Sequence, residues 1–280
     1  MNPDLHKESA HNWQLSERMS LRALGFCGAD DSVSPKLLGI FCQSYPFVEF
    51  GVLFRPDLEG QPRYATASWV QRLGEVASRS NGRMKLAAHL CGGRVMELLS
   101  GDDAFLSTLP ALGFGRVQVN ATAVNGVDTS SLATAVPAVA ALMARHPELE
   151  FILQKNDETE PLWRGLLEGD DENMGEAGCL PSNVTMLVDE SKGTGVLASS
   201  WPSPPRDIDI GYAGGIGPTN IQMVLKDVTA AANGRAVWID MESSLRSTKN
   251  GKDVFDLDKC YQCIEAVCDM KLFEHPDYLK

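Results

Sequence analysis

The sequence predicts an α/β protein, a single (β/α)8 barrel (TIM barrel) with a short N-terminal extension. Three observations carry that expectation. From residue 21 onward, apolar β-type runs alternate with helical patterns, the signature of a parallel α/β chain. Eight such runs occur, the number that closes a barrel, and 280 residues suit one barrel of ordinary length. The last three runs each end in small or acidic residues. Val184–Asp189 leads into Lys192-Gly-Thr-Gly195, Ile208–Ala213 into Gly214-Gly-Ile-Gly-Pro218, and Ala236–Asp240 into Ser243-Ser244. In a barrel the loops after the final strands grip phosphate through backbone N–H groups, often beside a helix N-terminus.

Residues 1–20 are polar with few apolar positions, so the barrel proper is assigned to 21–280. Strands are expected at Leu21–Phe26, Val48–Phe54, Met84–Leu90, Arg116–Asn120, Leu149–Lys155, Val184–Asp189, Ile208–Ala213 and Ala236–Asp240. Between them Ser68–Ala77, Arg94–Leu99, Leu132–Arg145 and Asn220–Ala232 place apolar residues at helical spacing. The final helix, Asp258–Met270, follows an Asp-rich stretch suited to capping it. Two segments interrupt the repeat: Glu168–Asn183, an acidic insertion, and Pro202–Pro205, an irregular loop near the active face.

Composition narrows the function. Apolar content of 44% with 22% charged residues is that of a soluble globular protein, and no apolar run is long enough to span a bilayer. A net charge of −12 disfavours nucleic acid, whose phosphates need a basic surface. The beginning has no apolar signal core and the seven cysteines are an odd number, which together point to reduced thiols and a cytoplasmic protein. Oligomeric state leaves no mark in the sequence.

Catalytic groups of a barrel project from the C-terminal ends of strands. That rule selects Cys27, Arg55 with Arg63, His89 with Cys91, Asn120, Lys155 with Asp157, Asp189 and Asp240. A thiol and a carboxylate facing each other across an anchored sugar form a base and acid pair for proton shuttling. Arg63 can hold a second anionic group through its planar fork. Taken alone, Cys27 is more often a small buried hydrophobe than a base. His89 and Cys91 share one strand face, but two candidate ligands are too few for a metal site. Cys260, Cys263 and Cys268 sit in a helical pattern that marks them as core.

At these strand ends the sequence resembles the phosphoribosylanthranilate isomerase family. Leu24-Gly-Phe-Cys-Gly28 is similar to the family's Lys-Ile-Cys-Gly start, and Gly51–Phe54 with Pro62-Arg-Tyr64 to its second strand and Ser-Pro-Arg-Tyr loop. Val117-Gln-Val119 resembles its fourth strand, Leu187-Val-Asp189 with Gly193-Thr-Gly195 its Leu-Leu-Asp and Gly-Gly-Thr-Gly segments. Ala213-Gly-Gly215 with Pro218 and Asn220 is similar to its Ala-Gly-Gly-Leu-x-Pro-x-Asn motif, and Asp240, Ser243 and Gly251-Lys-Asp253 to its last strand and following turn. Asn120, Lys192, Ser244 and Arg246 depart from the pattern.

The resemblance implies an Amadori rearrangement, part of tryptophan biosynthesis, of an aminoaldose phosphate to an aminoketose phosphate. Cys27 is then general base and Asp189 general acid. Arg63, His89, Asn120 and Asp240 are expected to bind substrate. Gly193, Thr194, Gly195, Gly214, Gly215, Ser243 and Ser244 are expected to hold its phosphate. Proton transfer alone suffices, so no metal and no cofactor is expected, and the partner is a small phosphorylated substrate. Two alternatives stand beside this one: an isomerase, epimerase or lyase for another sugar phosphate, and a non-catalytic barrel that binds a phosphorylated metabolite.

Overall fold

A computed structural model describes residues 20–168, 181–205 and 208–273. The expected extension at 1–20, apart from Ser20, and most of the acidic insertion at 168–183 lie outside these residues.

Eight parallel strands close into a barrel in sequence order. They are β1 (Ser20–Cys27), β2 (Val48–Phe54), β3 (Lys85–Leu90), β4 (Phe114–Val119), β5 (Glu150–Lys155), β6 (Val184–Val188), β7 (Ile210–Tyr212) and β8 (Ala236–Met241). The β8–β1 pairing that closes the ring sets Gly25 against Asp240. Every expected strand is present, with ends shifted by up to two residues. Among the described residues, no helix is long and apolar enough to cross a membrane.

Outside the ring run α1 (Pro35–Ser44), α2 (Ala67–Ser78), α3 (Gly93–Leu99), α4 (Leu132–Arg145), α5 (Glu160–Glu168), α6 (Ile221–Ala232) and α7 (Leu257–Asp269). Two of these, α1 and α5, were not expected. Their apolar stripes are short, and Leu37 and Ile40 of α1 face solvent. Their starts were nonetheless written in the chain, since Ser34-Pro35 and Glu160-Pro161 each put proline in a first turn, where its missing N–H costs nothing. The irregular segment near Pro202 packs on β7, where Trp201 meets the Tyr212 ring edge-on at 5.7 Å and the Tyr212 hydroxyl donates to Pro202 O at 2.6 Å.

Between β8 and α7 lies a hairpin of β9 (Arg246–Lys249) and β10 (Lys252–Phe255), likewise unexpected. Its two-residue turn is Asn250-Gly251, with φ of 53° and 74°. Both values are positive, as a primed hairpin turn requires, and Asn-Gly is the dipeptide that adopts them most readily.

The core has two parts. Strand and helix faces share one large apolar layer around the ring, which contains Phe26, Phe50, Trp69, Phe151 and Tyr212. Inside the ring a smaller cluster of Ala23, Ile152, Leu187, Ala213 and Trp238 plugs the centre. Below it Arg116 donates to Glu49 at 2.8 Å and Glu150 at 2.9 Å, and lies 4.4 Å from the Trp238 ring. Alternation then sends every second side chain of these strands inward above the plug. Those side chains are polar, and they form the site.

The six described cysteines, Cys27, Cys42, Cys91, Cys260, Cys263 and Cys268, are unpaired and buried. The three on α7 pack in the outer core, as their helical spacing indicated.

Candidate active site at the mouth of the barrel

Cys27 ends β1 and His89 lies one residue before the end of β3, so both point inward at one level. Cys27 Sγ lies 3.1 Å from His89 Nδ1. Asp240, from β8, completes a group of three whose ligand-type atoms all lie within 4.8 Å of one another. Glycines make this convergence possible. A Cβ on Gly51 would come 2.7 Å from His89 Nε2 and 3.0 Å from Cys27 Cα, and one on Gly25 would come 2.7 Å from Asp240 Oδ1. The imidazole and the carboxylate therefore rest against bare backbone.

Burial sets the charge of these groups. It pushes the Cys27 thiol well above its ordinary pKa, and Asp240, Glu242 and Cys91 push in the same direction. Burial, with Arg116 beneath it, lowers His89 to about 3. The contact therefore joins a thiol to an uncharged imidazole at neutral pH. Asp240 is held well above the carboxylate range, first by burial and then by Glu49 and Glu242.

The two carboxylates of the site live in different surroundings. Asp189, after β6, accepts from Gln154 Nε2 at 2.7 Å, Gly193 N at 2.9 Å, Ser191 N at 3.1 Å and Ser191 Oγ at 2.5 Å. Two donors meet each oxygen, which fills the acceptor directions of a carboxylate. Asp240 has no hydrogen-bond donor among the described residues.

Above these groups opens a cavity of about 310 Å³. Of the expected residues, His89, Asn120, Asp189, Gly193, Gly195, Gly214, Gly215, Asp240, Ser243 and Ser244 line it. Cys27, itself buried, is not among the lining residues but touches His89, which is. The Thr194 side chain turns away and donates to Ser191 O at 2.7 Å. Ser243 opens a 3-10 turn (Ser243–Leu245) whose first N–H groups have no partner within the turn, and Gly214 (φ 102°) and Gly215 (φ 63°) form the facing bend.

Lys192, at the position of a family glycine, takes a left-handed φ of 56° and pairs outward with Asp157 at 2.7 Å. Its side chain therefore leaves the turn open. The other departures also have structural work. Ser244 Oγ donates to Ile216 O, tying the two cavity turns together. Arg246 is buried, bonded to Asp30 at 2.7 Å, Asp253 at 2.8 Å and Gly28 O at 2.7 Å. Asn120 accepts from Gln118 at 2.9 Å and donates to Cys91 Sγ at 3.5 Å.

Arg63 stands at the rim rather than in the cavity lining. Its backbone has a left-handed φ of 79° and its N–H donates to Asp30 Oδ2 at 2.6 Å. That posture aims the guanidinium at Glu242, 2.9 Å away, and at Ser243 Oγ, 3.0 Å away.

Sequence reasoning missed Gln118, Gln154, Asn125, Ser191 and Glu242, all of which line the cavity. A signal for two of them was present. Arg116, Gln118 and Asn120, and likewise Glu150 and Gln154, recur at even spacing in otherwise apolar strands, which marks an inward polar face.

No protein-family model matches the chain, and no curated protein does. Solved structures similar to it include a GH113 beta-1,4-mannanase complex, at 8% identity and a TM-score of 0.48, over 89% of this chain and 99% of that one. An AP endonuclease, family 2, from Brucella melitensis matches at 13% identity and a TM-score of 0.40, over 78% of this chain and 92% of its own. A ribulose-1,5-bisphosphate carboxylase/oxygenase from Pyrococcus horikoshii matches at 10% identity and a TM-score of 0.41, over 80% of this chain and 53% of its own.

Proposed function

We propose that this barrel is an acid–base enzyme acting on a small phosphorylated sugar derivative. Its reaction is an aldose–ketose isomerisation of the phosphoribosylanthranilate type. The observation that carries the proposal is the meeting of Cys27, His89 and Asp240 at the C-terminal end of the barrel, beneath two turns that offer backbone N–H groups.

In this reading Cys27 is the base. Its proton passes to His89 Nδ1, and the sulfur then takes the proton from the sugar C2. The acid is Asp240. Its carboxyl keeps a proton because burial disfavours the charge, and no neighbouring donor competes for it. Asp189, the acid that the family resemblance implies, serves instead to hold the Ser191–Gly195 turn through its four hydrogen bonds. The phosphate sits at the rim between Gly214–Gly215 and Ser243–Ser244, within reach of Arg63.

A different sugar phosphate is the second reading. The floor amides Gln118, Asn120 and Gln154 favour it, because buried amides select hydroxyl patterns sharply. The deciding assay follows loss of anthranilate-type fluorescence from freshly generated phosphoribosylanthranilate. Decay faster than the spontaneous rate, abolished in Cys27→Ser and Asp240→Asn, is the expected result. Decay at the spontaneous rate rejects this substrate.

A further inference from the structure

We propose that Cys27, His89 and Asp240 form a binding site for one zinc ion, and that the ion and the proton-transfer reaction exclude each other. The three side chains come from β1, β3 and β8, and offer a thiolate, an imidazole nitrogen and a carboxylate oxygen. That donor set is one zinc accepts, and three protein ligands with an open fourth position is the arrangement of an accessible zinc site. Ligand atoms around tetrahedral zinc lie about 3.5 Å apart, given bonds of roughly 2.0–2.3 Å. The Cys27–His89 contact of 3.1 Å and the 4.8 Å limit for the whole group bracket that value.

A second observation comes from the cavity itself. Gln154 is 3% exposed, and its Oε1 has no hydrogen-bond partner among the described residues. A buried acceptor left alone is unfavourable by about 1–3 kcal/mol, so it calls for a donor, and Gln154 is a lining residue of this cavity. Water carried on a metal is such a donor. Beside Asp240, the lining also contains the carboxylates of Asp189 and Glu242 but no lysine or arginine. Its charge suits a cation better than it suits an anion.

Binding is balanced by release to solvent of the Cys27 thiol proton and the Asp240 carboxyl proton as the zinc–sulfur and zinc–oxygen bonds form. A zinc-bound thiolate is a far weaker base than a free one, and a His89 nitrogen bound to the ion can no longer take the thiol proton. Zinc therefore inhibits turnover. This second half rests on the function proposed above, whereas the binding half does not.

The test uses the full chain, stripped with a chelator and titrated with Co²⁺, with Zn²⁺ as competitor. One equivalent of Co²⁺ should bind with tetrahedral visible bands and thiolate-to-cobalt absorption, both displaced by Zn²⁺. Cys27→Ser should abolish the thiolate band. His89→Ala and Asp240→Asn should weaken affinity by at least the ~10–100-fold that loss of a supporting partner causes. Thermal melts of each variant establish that it is folded, and Cys91→Ala should leave the spectrum intact. Absence of a thiolate band, a band that survives in Cys27→Ser, or one lost in Cys91→Ala overturns the site. If the band forms as described while turnover is unaffected by Zn²⁺, the zinc site stands. The exclusion, and with it the role of Cys27 as base, then falls.

Discussion

Gly51→Ala tests the geometry of the site without altering any side chain that takes part in chemistry. The new Cβ would lie 2.7 Å from His89 Nε2, against an ordinary contact of 3.4 Å or more, so something must move by about 0.7 Å. The other near neighbour is the Cys27 backbone, with Cα at 3.0 Å, which the barrel ladder fixes. The displacement therefore falls on the imidazole, which opens or misaligns its 3.1 Å contact with Cys27 Sγ. Overpacking of this kind is unfavourable by about 1–3 kcal/mol, while replacing a strand glycine returns about 0.5–1 kcal/mol of backbone entropy. The net loss, about 0–2.5 kcal/mol, lowers Tm by at most roughly 10 °C. Turnover should suffer more, since misplacing a reacting group by about 1 Å reduces rate by as much as ~100-fold. Paired melting curves and steady-state assays separate the two effects. Gly115→Ala is the control, because a Cβ there has nothing within 4 Å. A Gly51→Ala protein with unchanged kcat would refute the argument that the Cys27–His89 contact carries the chemistry.

The remaining predictions address the carboxylates and the arginines. Asp240→Asn should remove turnover with little change in Tm, because it replaces a carboxyl already kept uncharged by burial with a neutral isostere that has no acidic proton. Asp189→Asn should instead lower Tm, since it sets an amide against Gln154 Nε2 and Gly193 N and weakens bonds worth about 1.5–3 kcal/mol each to a charged acceptor. If the two variants behave alike, the division of labour between these carboxylates is wrong. Arg246→Ala strands Asp30 inside the protein and should destabilise by about 3–5 kcal/mol, which a denaturant titration will show as a lower midpoint at constant m. The same variant should unfold at higher pH on acidification. Burial alone would raise Asp30, but hydrogen bonds from Ser32, Arg63 N and Arg246 outweigh it and hold its pKa below the ordinary value. Its stabilisation is therefore complete above the unfolded carboxylate value, near 3.8, and is lost as pH falls through the lower folded value. An acid-unfolding midpoint identical in wild type and Arg246→Ala would rule this out. Arg63→Lys keeps the charge but loses the fork whose Nη1 reaches Glu242 and Ser243 while Nε reaches Asp253, and should raise KM several-fold with little change in kcat.

The architecture was legible because barrel strands are buried on both faces or capped by helices, and leave continuous apolar runs that a sequence displays directly. The strand-end rule then brought Cys27, His89, Asp189 and Asp240 to one end of the ring without any contact being known. What it could not supply was which of them touch. His89 was paired in sequence with Cys91 on the same face of one strand, yet the closed ring brings it to Cys27 and Asp240, from strands 62 residues before it and 151 after it. Such meetings depend on register and on the glycines at 25 and 51, whose role is visible only when the facing side chains are in place. The Asn250-Gly251 hairpin is the opposite case. Its signal is local and complete in the Asn-Gly dipeptide, and the two short runs on either side pair with each other rather than with the barrel.

The electrostatic layout of the site also orders how a substrate must enter. Asp189 and Glu242 stand in the cavity wall and the lining offers no lysine or arginine, so an anionic group is repelled from the wall. The positive ends of backbone dipoles lie at the rim, in the bend at Gly214–Gly215 and the first N–H groups of the Ser243 turn, with the Arg63 guanidinium beside them. On the proposed reading, a phosphate settles at this rim and the sugar extends downward from it toward Gln118, Gln154, His89 and Asp240. The floor meets that sugar without fixed charge, since the thiol, the imidazole and the Asp240 carboxyl are each held neutral by burial. Charge separation between Cys27 and His89 is unfavourable in the empty cavity, and becomes favourable only when a substrate supplies polar groups to the site. If the proposed reading holds, a site arranged this way keeps its thiol unreactive until the right molecule is bound. Alkylation of Cys27 by iodoacetamide should accordingly be slow in the free protein at pH 7 and accelerate when a ligand with polar groups but no reactive carbon fills the cavity. Rapid alkylation of the free protein, or none in either state, would break the link between burial and reactivity on which this account depends.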